Sequence, residues 1–314
     1  MNILITEFIW PEGIQILESF GEVIYDPDLW NNSEALSELL ESADTLIIRN
    51  QTKVDERLLD SAPNLKVIGR LGVGLDNMDI DAAKRRNIEV IYAKNANANS
   101  VAEYVFAAMF DASRKLNQAN QDVQAGNWNR KLFTGSELAG KTLGLIGLGE
   151  IAKRVAIRAK SFGIRVLGYS PSASTYDFST ELGVEICSLG ELLAQSDYIS
   201  LHIPLTEKTK GFISMEQLRQ MKHSAFLMNT SRGGTVDEKA LVEAVQTRQI
   251  AGAYLDVIEN EPIRENNPIL YQPNIFITPH VAGLTEESQL RTSVLVAEEV
   301  AKVLQGKTSV CRVP

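Results

Sequence analysis

Three short stretches supply an arginine, a carboxylate and a histidine: Asn229-Thr-Ser-Arg-Gly-Gly234, Leu255-Asp-Val-Ile-Glu-Asn-Glu-Pro262 and Thr278-Pro-His-Val-Ala-Gly283. Each opens where an apolar, strand-like run ends. In an open α/β sheet the carboxyl ends of the strands line the ligand crevice, so the three turns are expected to face one ligand. The set suits hydride transfer coupled to movement of a hydroxyl proton. Oxidation of a 2-hydroxy acid requires a base for that proton, and an imidazole titrates near neutrality, which makes His280 the candidate. A carboxylate on the far ring nitrogen, Glu261, fixes the tautomer and stabilises the imidazolium. The guanidinium of Arg232 can grip a carboxylate through two parallel hydrogen bonds, or polarise the C2 oxygen. Taken singly, each has a plainer alternative. A strand-end histidine is more often structural, an arginine in a glycine turn is an exposed charge, and a glutamate before Pro262 is a solvated loop residue. The shared strand-end position is what favours chemistry.

Such a reaction needs a hydride carrier, because no side chain does this redox step. The stretch Thr142-Leu-Gly-Leu-Ile-Gly-Leu-Gly-Glu-Ile-Ala152 offers its site. An apolar run meets the turn Gly147-x-Gly149-x-x-Ala152, and a helix is expected over 153–162, then a second strand over 164–169. A tight turn at Gly147 and a bare backbone at Gly149 let a pyrophosphate reach the helix N-terminus, where free N–H groups and the dipole stabilise negative charge. A glycine pair alone is weak, but the flanking strand, the helix and the small Ala152 together point to a dinucleotide. Glu150 sits beside that pyrophosphate and is expected to turn to solvent. The position after the second strand, where an Asp accepts hydrogen bonds from the ribose hydroxyls and repels a 2′-phosphate, carries Ser170. Residues 172–185 contain no Lys or Arg to attract that phosphate, and Asp177 opposes it, so NAD is expected to be preferred, with leakage to NADP.

The elements around these stretches alternate. Strands are expected at 2–6, 22–25, 45–48, 66–69 and 89–92, with helices at 11–20, 33–41, 55–61 and 79–86 and Ser33 as an N-cap. A long helical pattern runs over about 100–126, with Val101, Val105, Ala108 and Met109 on one face, and suits an interdomain or intersubunit helix. Beyond the glycine turn, strands are expected at 164–169, 185–187, 198–203, 225–229, 252–256 and 275–278. Several are apolar throughout, as when both sheet faces are covered. A last helix spans 286–304. The first domain lacks a closing helix, so the C-terminal segment is expected to return to it. The expected fold is α/β, with two doubly wound parallel-sheet domains. Residues 1–97 and 285–314 form one, and residues 98–284 form a dinucleotide domain inserted into it.

The 314 residues carry a net charge of −9, which argues against general binding to nucleic acid. The two cysteines, Cys187 and Cys311, are unpatterned and suggest a reducing compartment with neither a disulfide framework nor a metal site. Met1 leads directly into a strand, and no apolar run approaches a membrane span, so a cytoplasmic location is expected.

Several stretches together resemble the D-isomer-specific 2-hydroxyacid dehydrogenase family, over essentially the whole chain: Gly140-Lys-Thr-Leu-Gly-Leu-Ile-Gly-Leu-Gly149, Ser200-Leu-His-Ile-Pro-Leu-Thr206, Arg232-Gly-Gly-Thr-Val-Asp237, Thr278-Pro-His280 and Asn99-Ser-Val-Ala-Glu103. The resemblance implies a Rossmann-type NAD domain inserted into a flavodoxin-like substrate domain, with the active site in the cleft and a homodimer formed through the cofactor domain. It places Arg232, Glu261 and His280 at the catalytic positions, and Asp256 at one that contacts the nicotinamide carboxamide. Cofactor contacts are implied at Gly147, Gly149, Ile151, Ser170, His202, Pro204, Thr209, Thr230 and Gly283. His223 reads as a surface residue. Formate dehydrogenases of the family resemble a glutamine–histidine version, against which Glu261 argues.

Within the family, the chain most resembles the branch that oxidises D-3-phosphoglycerate. Arg49 and Arg70 match its basic positions, and a doubly anionic acid needs cations at both ends. The backbone of Val73 and Gly74 is expected to receive the carboxylate. Asn97 is a further substrate contact, and Arg130, in Trp128-Asn-Arg-Lys131, matches a segment that reaches a neighbouring subunit's site. Relatives that continue into serine-binding regulatory domains are longer, so no serine feedback is expected. Two other functions fit the same residues: a hydroxypyruvate, glyoxylate or broader 2-keto acid reductase, and a dinucleotide-sensing protein like the related corepressors.

Overall fold

The computed structural model describes residues 1–170 and 176–314, with the backbone alone at Tyr176 and Asp177. It divides into two compact units, Met1–Asn97 with Leu284–Pro314, and Ala98–Gly283.

The first unit holds β1 (Asn2–Ile5), β2 (Glu22–Tyr25), β3 (Thr45–Ile48), β4 (Val67–Arg70) and β5 (Glu89–Tyr92), all parallel in the order β2-β1-β3-β4-β5. This is the flavodoxin-like order. Side chains alternate across a strand, so each strand feeds two cores. Ile3, Ile5, Ile47, Val67 and Ile91 pack on one face with Val296, Ala297 and Val300. Leu4, Leu46, Ile48, Ile68 and Val90 pack on the other. The partners on the first face come from the C-terminal helix Glu286–Leu304. It lies so close that a Cβ on Gly69 of β4 would stand 2.9 Å from both Val296 and Val300.

The second unit holds β6 (Thr142–Ile146), β7 (Arg165–Tyr169), β8 (Glu185–Ile186), β9 (Tyr198–Leu201), β10 (Phe226–Asn229), β11 (Gly252–Leu255) and β12 (Ile275–Ile277). Their order is β12-β11-β10-β9-β6-β7-β8. Counted from β6, this is the Rossmann order extended by one strand, and it reverses between β6 and β9, where such sheets bind ligands. Strands β6, β9 and β11 are buried at every position.

Three local expectations are corrected. The long helix is two helices, Ala98–Arg114 and Leu116–Gln124, separated at Lys115 by a left-handed residue (φ 51°). The first piece buries Val101, Val105, Ala108 and Met109, whereas the second buries nothing, so no packing holds it in line with the first. Asn32, not Ser33, caps the second helix, accepting from the Ala35 amide at 3.2 Å. The helix after the glycine turn begins at Glu150, three residues early, since Lys153 N already bonds Gly149 O at 2.9 Å. Among the described residues no helix is long and apolar enough to cross a membrane.

Candidate active site

Glu261 and His280 meet. Nδ1 of the histidine lies 2.8 Å from Oε2 of the carboxylate, and the other carboxylate oxygen accepts the Ile258 amide at 3.2 Å. A carboxylate only accepts, so Nδ1 carries the proton and Nε2 is the ring nitrogen that can exchange one. The two side chains are 51% and 39% exposed, so a ligand can reach them.

His280 sits in the left-handed region (φ 57°), a conformation costing roughly 1–2 kcal/mol for a residue with a Cβ. Asp256 holds the loop there. Its carboxylate, 2% exposed at the end of β11, accepts the Val281 amide and the Thr278 hydroxyl on one oxygen and the Ala282 amide on the other, at 2.6 to 2.8 Å. Because Thr278 donates to Asp256, its oxygen accepts from the Tyr104 hydroxyl at 2.6 Å. Burial, and then the Asp256 charge, raise the Tyr104 phenol pKa against the opposing pull of Thr278, which keeps it a neutral donor. Asp256 therefore accepts three hydrogen bonds from the His280 loop.

Arg232 is carried by a turn that Asn229 builds. The buried Asn229 amide donates to the Arg232 carbonyl at 2.9 Å and to Thr235 at 3.2 Å, while its oxygen accepts the Ser231 hydroxyl at 2.7 Å and the Ser231 amide at 3.0 Å. Nη1 of Arg232 donates to the Ser231 carbonyl at 2.7 Å. The next residue, Gly233, lies against the Glu261 segment, where a Cβ would stand 1.9 Å from the Ile258 carbonyl carbon. The turn that bears Arg232 and the loop that bears Glu261 are thus in backbone contact.

At the glycine turn, Gly147 has φ 92° and its Cα faces the His202 carbonyl, which a Cβ would approach to 2.4 Å. At Gly149, the helix N-cap, the space beside Cα is open to 4 Å, room for a pyrophosphate against the first N–H groups. Ala152 is buried and Ile151 half-buried beside it. The Glu150 carboxylate ion-pairs with Arg154 one turn along. Around the turn lie buried polar atoms without a partner among the described residues: both ring nitrogens of His202, the Thr230 hydroxyl and the Ser200 hydroxyl. Burial pushes the His202 pKa down to about 4, so its imidazole is neutral. Open space at Gly149 and orphaned polar groups at the carboxyl ends of β9 and β10 fit a dinucleotide. Pro204 and Thr209 belong to an exposed turn closed by the Thr209 hydroxyl, which donates to the Pro204 carbonyl at 2.6 Å. Ser170 follows β7 half-buried, Gly283 ends the His280 loop, and Asp177 lies outside the described side chains.

In the first unit, Arg49 follows β3 and its guanidinium bonds Gln289. Arg70 ends β4, and its guanidinium crosses the bare face of Gly72, since a Cβ there would stand 1.5 Å from Nη1. Val73, Gly74 and Asn97 are half-buried on loops of the same unit. Arg130 is exposed on the second unit. Three residues that sequence reasoning passed over organise these loops: Glu7, Asn77 and Tyr104. Glu7 alone left a signal, a carboxylate placed straight after an apolar strand.

Residues 106–282 match the family model described as the D-isomer specific 2-hydroxyacid dehydrogenase, NAD binding domain. A D-3-phosphoglycerate dehydrogenase of Methanocaldococcus jannaschii is 43% identical over 98% of the chain, which spans 58% of that protein's length. A hydroxypyruvate reductase of Thermotoga maritima is 39% identical over 93% of the chain and 95% of its own length. The crystal structure of a glyoxylate reductase from Paecilomyes thermophila superposes with a TM-score of 0.88 at 28% identity, covering 100% of this chain and 98% of the other.

Proposed function

This chain belongs to the D-isomer-specific 2-hydroxyacid dehydrogenase family, and on that footing we propose that it oxidises the C2 hydroxyl of D-3-phosphoglycerate to the ketone of 3-phosphohydroxypyruvate. A bound NAD would supply the hydride acceptor for the C2 hydrogen. Gly147, Gly149 and Ile151 would hold its pyrophosphate half and Ser170 its ribose, with His202, Pro204, Thr209, Thr230 and Gly283 as further cofactor contacts. Nε2 of His280 takes the hydroxyl proton, and Glu261 stabilises the imidazolium that forms. Arg232 binds the substrate carboxylate and polarises the C2 oxygen. Arg49 and Arg70 hold the anionic far end, with Val73, Gly74 and Asn97 as further contacts. The 2.8 Å contact of His280 with Glu261 carries this reading, because it leaves one ring nitrogen as the proton-exchanging atom.

The phosphorylated acid is favoured over other hydroxy acids by the likeness to D-3-phosphoglycerate dehydrogenases and by Arg49 and Arg70. Hydroxypyruvate or glyoxylate reduction is the second reading, favoured by the Thermotoga relative and by Ser170. A homodimer through the second unit, with Arg130 serving the neighbouring subunit's site, is supported by the exposed Phe110, Leu116, Val123, Trp128 and Leu132. The free thiols of Cys187 and Cys311 support a cytoplasmic setting. The test is a purified-protein assay with 3-phosphoglycerate, glycerate and lactate, and with hydroxypyruvate in reverse. The highest kcat/KM is expected with 3-phosphoglycerate, and a higher value for hydroxypyruvate reduction would favour the second reading.

A further inference from the structure

Glu7 directs its carboxylate, with the residue 3% exposed, at four consecutive backbone N–H groups. Oε1 accepts Arg49 N at 2.8 Å and Thr52 N at 2.9 Å, and Oε2 accepts Asn50 N at 3.0 Å and Gln51 N at 2.9 Å. Such a run of N–H groups is an anion-binding concavity. Here the chain fills it with its own carboxylate, so the loop's free attraction for an anion resides in the Arg49 side chain. The loop's carbonyls are fastened from the other side. Asn77 Nδ2 donates to Thr52 O at 2.7 Å and to Arg49 O at 3.3 Å. The Thr52 hydroxyl pairs with that of buried Thr6 at 2.7 Å. With Gln289 on its guanidinium, Arg49 is held at both ends.

We propose that Glu7 is a positioning residue for substrate binding, the buried carboxylate that fixes the 49–52 loop and so aims Arg49 at the acid. This rests on the assignment of Arg49 to the substrate's anionic end. A carboxylate is required because both oxygens must accept twice. An amide would turn an NH2 donor towards two N–H donors, leaving them unsatisfied and the loop loose. A loop displaced by an ångström weakens binding of the acid without altering the proton-transfer groups.

The test is steady-state kinetics of Glu7→Gln, Glu7→Asp and Arg49→Ala with 3-phosphoglycerate and NAD. Glu7→Gln is expected to raise KM for the acid about tenfold, with kcat within about twofold and KM for NAD unchanged. Glu7→Asp, which keeps the charge on a shorter stem, is expected to recover most of that loss. If Glu7→Gln does not fold, a rise of about threefold in KM for the acid alone is expected for Glu7→Asp. Unchanged KM in the folded Gln variant, or equal losses in kcat and in KM for both substrates, overturns the proposal. Should Arg49→Ala leave KM unchanged, the substrate assignment falls and Glu7 with it. Should Arg49→Ala raise KM while Glu7→Gln is silent, only the role of Glu7 falls.

Discussion

The Asp256 carboxylate accepts the amides of Val281 and Ala282, the two residues that follow His280. One buried charge at the end of β11 therefore sets the backbone of the histidine at its unusual left-handed conformation. Placement of the His280 imidazole therefore involves Asp256 as well as Glu261.

Asp256→Asn keeps the shape but replaces one accepting oxygen with a donor facing an amide. A loss of about 3 kcal/mol in unfolding free energy is expected, since hydrogen bonds to a charged acceptor are worth roughly 1.5–3 kcal/mol each. Tyr104→Phe removes only the outer hydroxyl of the chain and is expected to cost about 1 kcal/mol. Urea denaturation of the two variants measures both, and equal effects would contradict the ordering of the chain from Asp256 outward.

Glu261→Gln retains a partner for Nδ1 but not the charge proposed to stabilise the imidazolium. A fall in kcat of about a hundredfold is expected, with NADH affinity unchanged. A variant with wild-type kcat would mean that the 2.8 Å contact is not used in the reaction.

His202 makes stability depend on acidity. Burial lowers its pKa from 6.5 to about 4. Below pH 6.5 the unfolded chain binds this proton and the folded chain does not, so the contribution is full above 6.5 and is lost as the pH falls towards 4. The loss is bounded at about 3 kcal/mol. His202→Met is expected to flatten this part of the curve of stability against pH. An unchanged acid limb in that variant would place the titrating group elsewhere.

Ser170→Asp installs a carboxylate at the proposed ribose position. The ratio of kcat/KM for NAD over NADP is expected to rise about tenfold, equivalent to about 1.4 kcal/mol. A ratio that stays the same would show that Ser170 lies off the 2′ position.

Much of this was legible because it is local or periodic. Runs such as residues 46–48 are apolar at each step because two cores need them, and the Gly147 turn announces itself by composition. The strand-end rule brings Glu261 and His280 to one place across 19 positions of the chain. What stayed hidden depends on contacts between remote residues. Nothing near Glu7 in sequence says that its carboxylate will meet the amides of residues 49–52, some 42 to 45 positions on. The resemblance assigns Asp256 to the cofactor but says nothing of its bonds to the 278–282 loop, which exist only once β11 and β12 are paired. The break at Lys115 was missed because polar helical propensity continues past the point where burial stops.

His280→Ala tests the central claim most directly, measured as turnover of 3-phosphoglycerate beside a fluorescence titration of NADH binding. Turnover is expected to fall by at least about a thousandfold with NADH affinity within about twofold of wild type. Substantial remaining turnover would contradict His280 as the acid–base group, and lost NADH binding would make it structural.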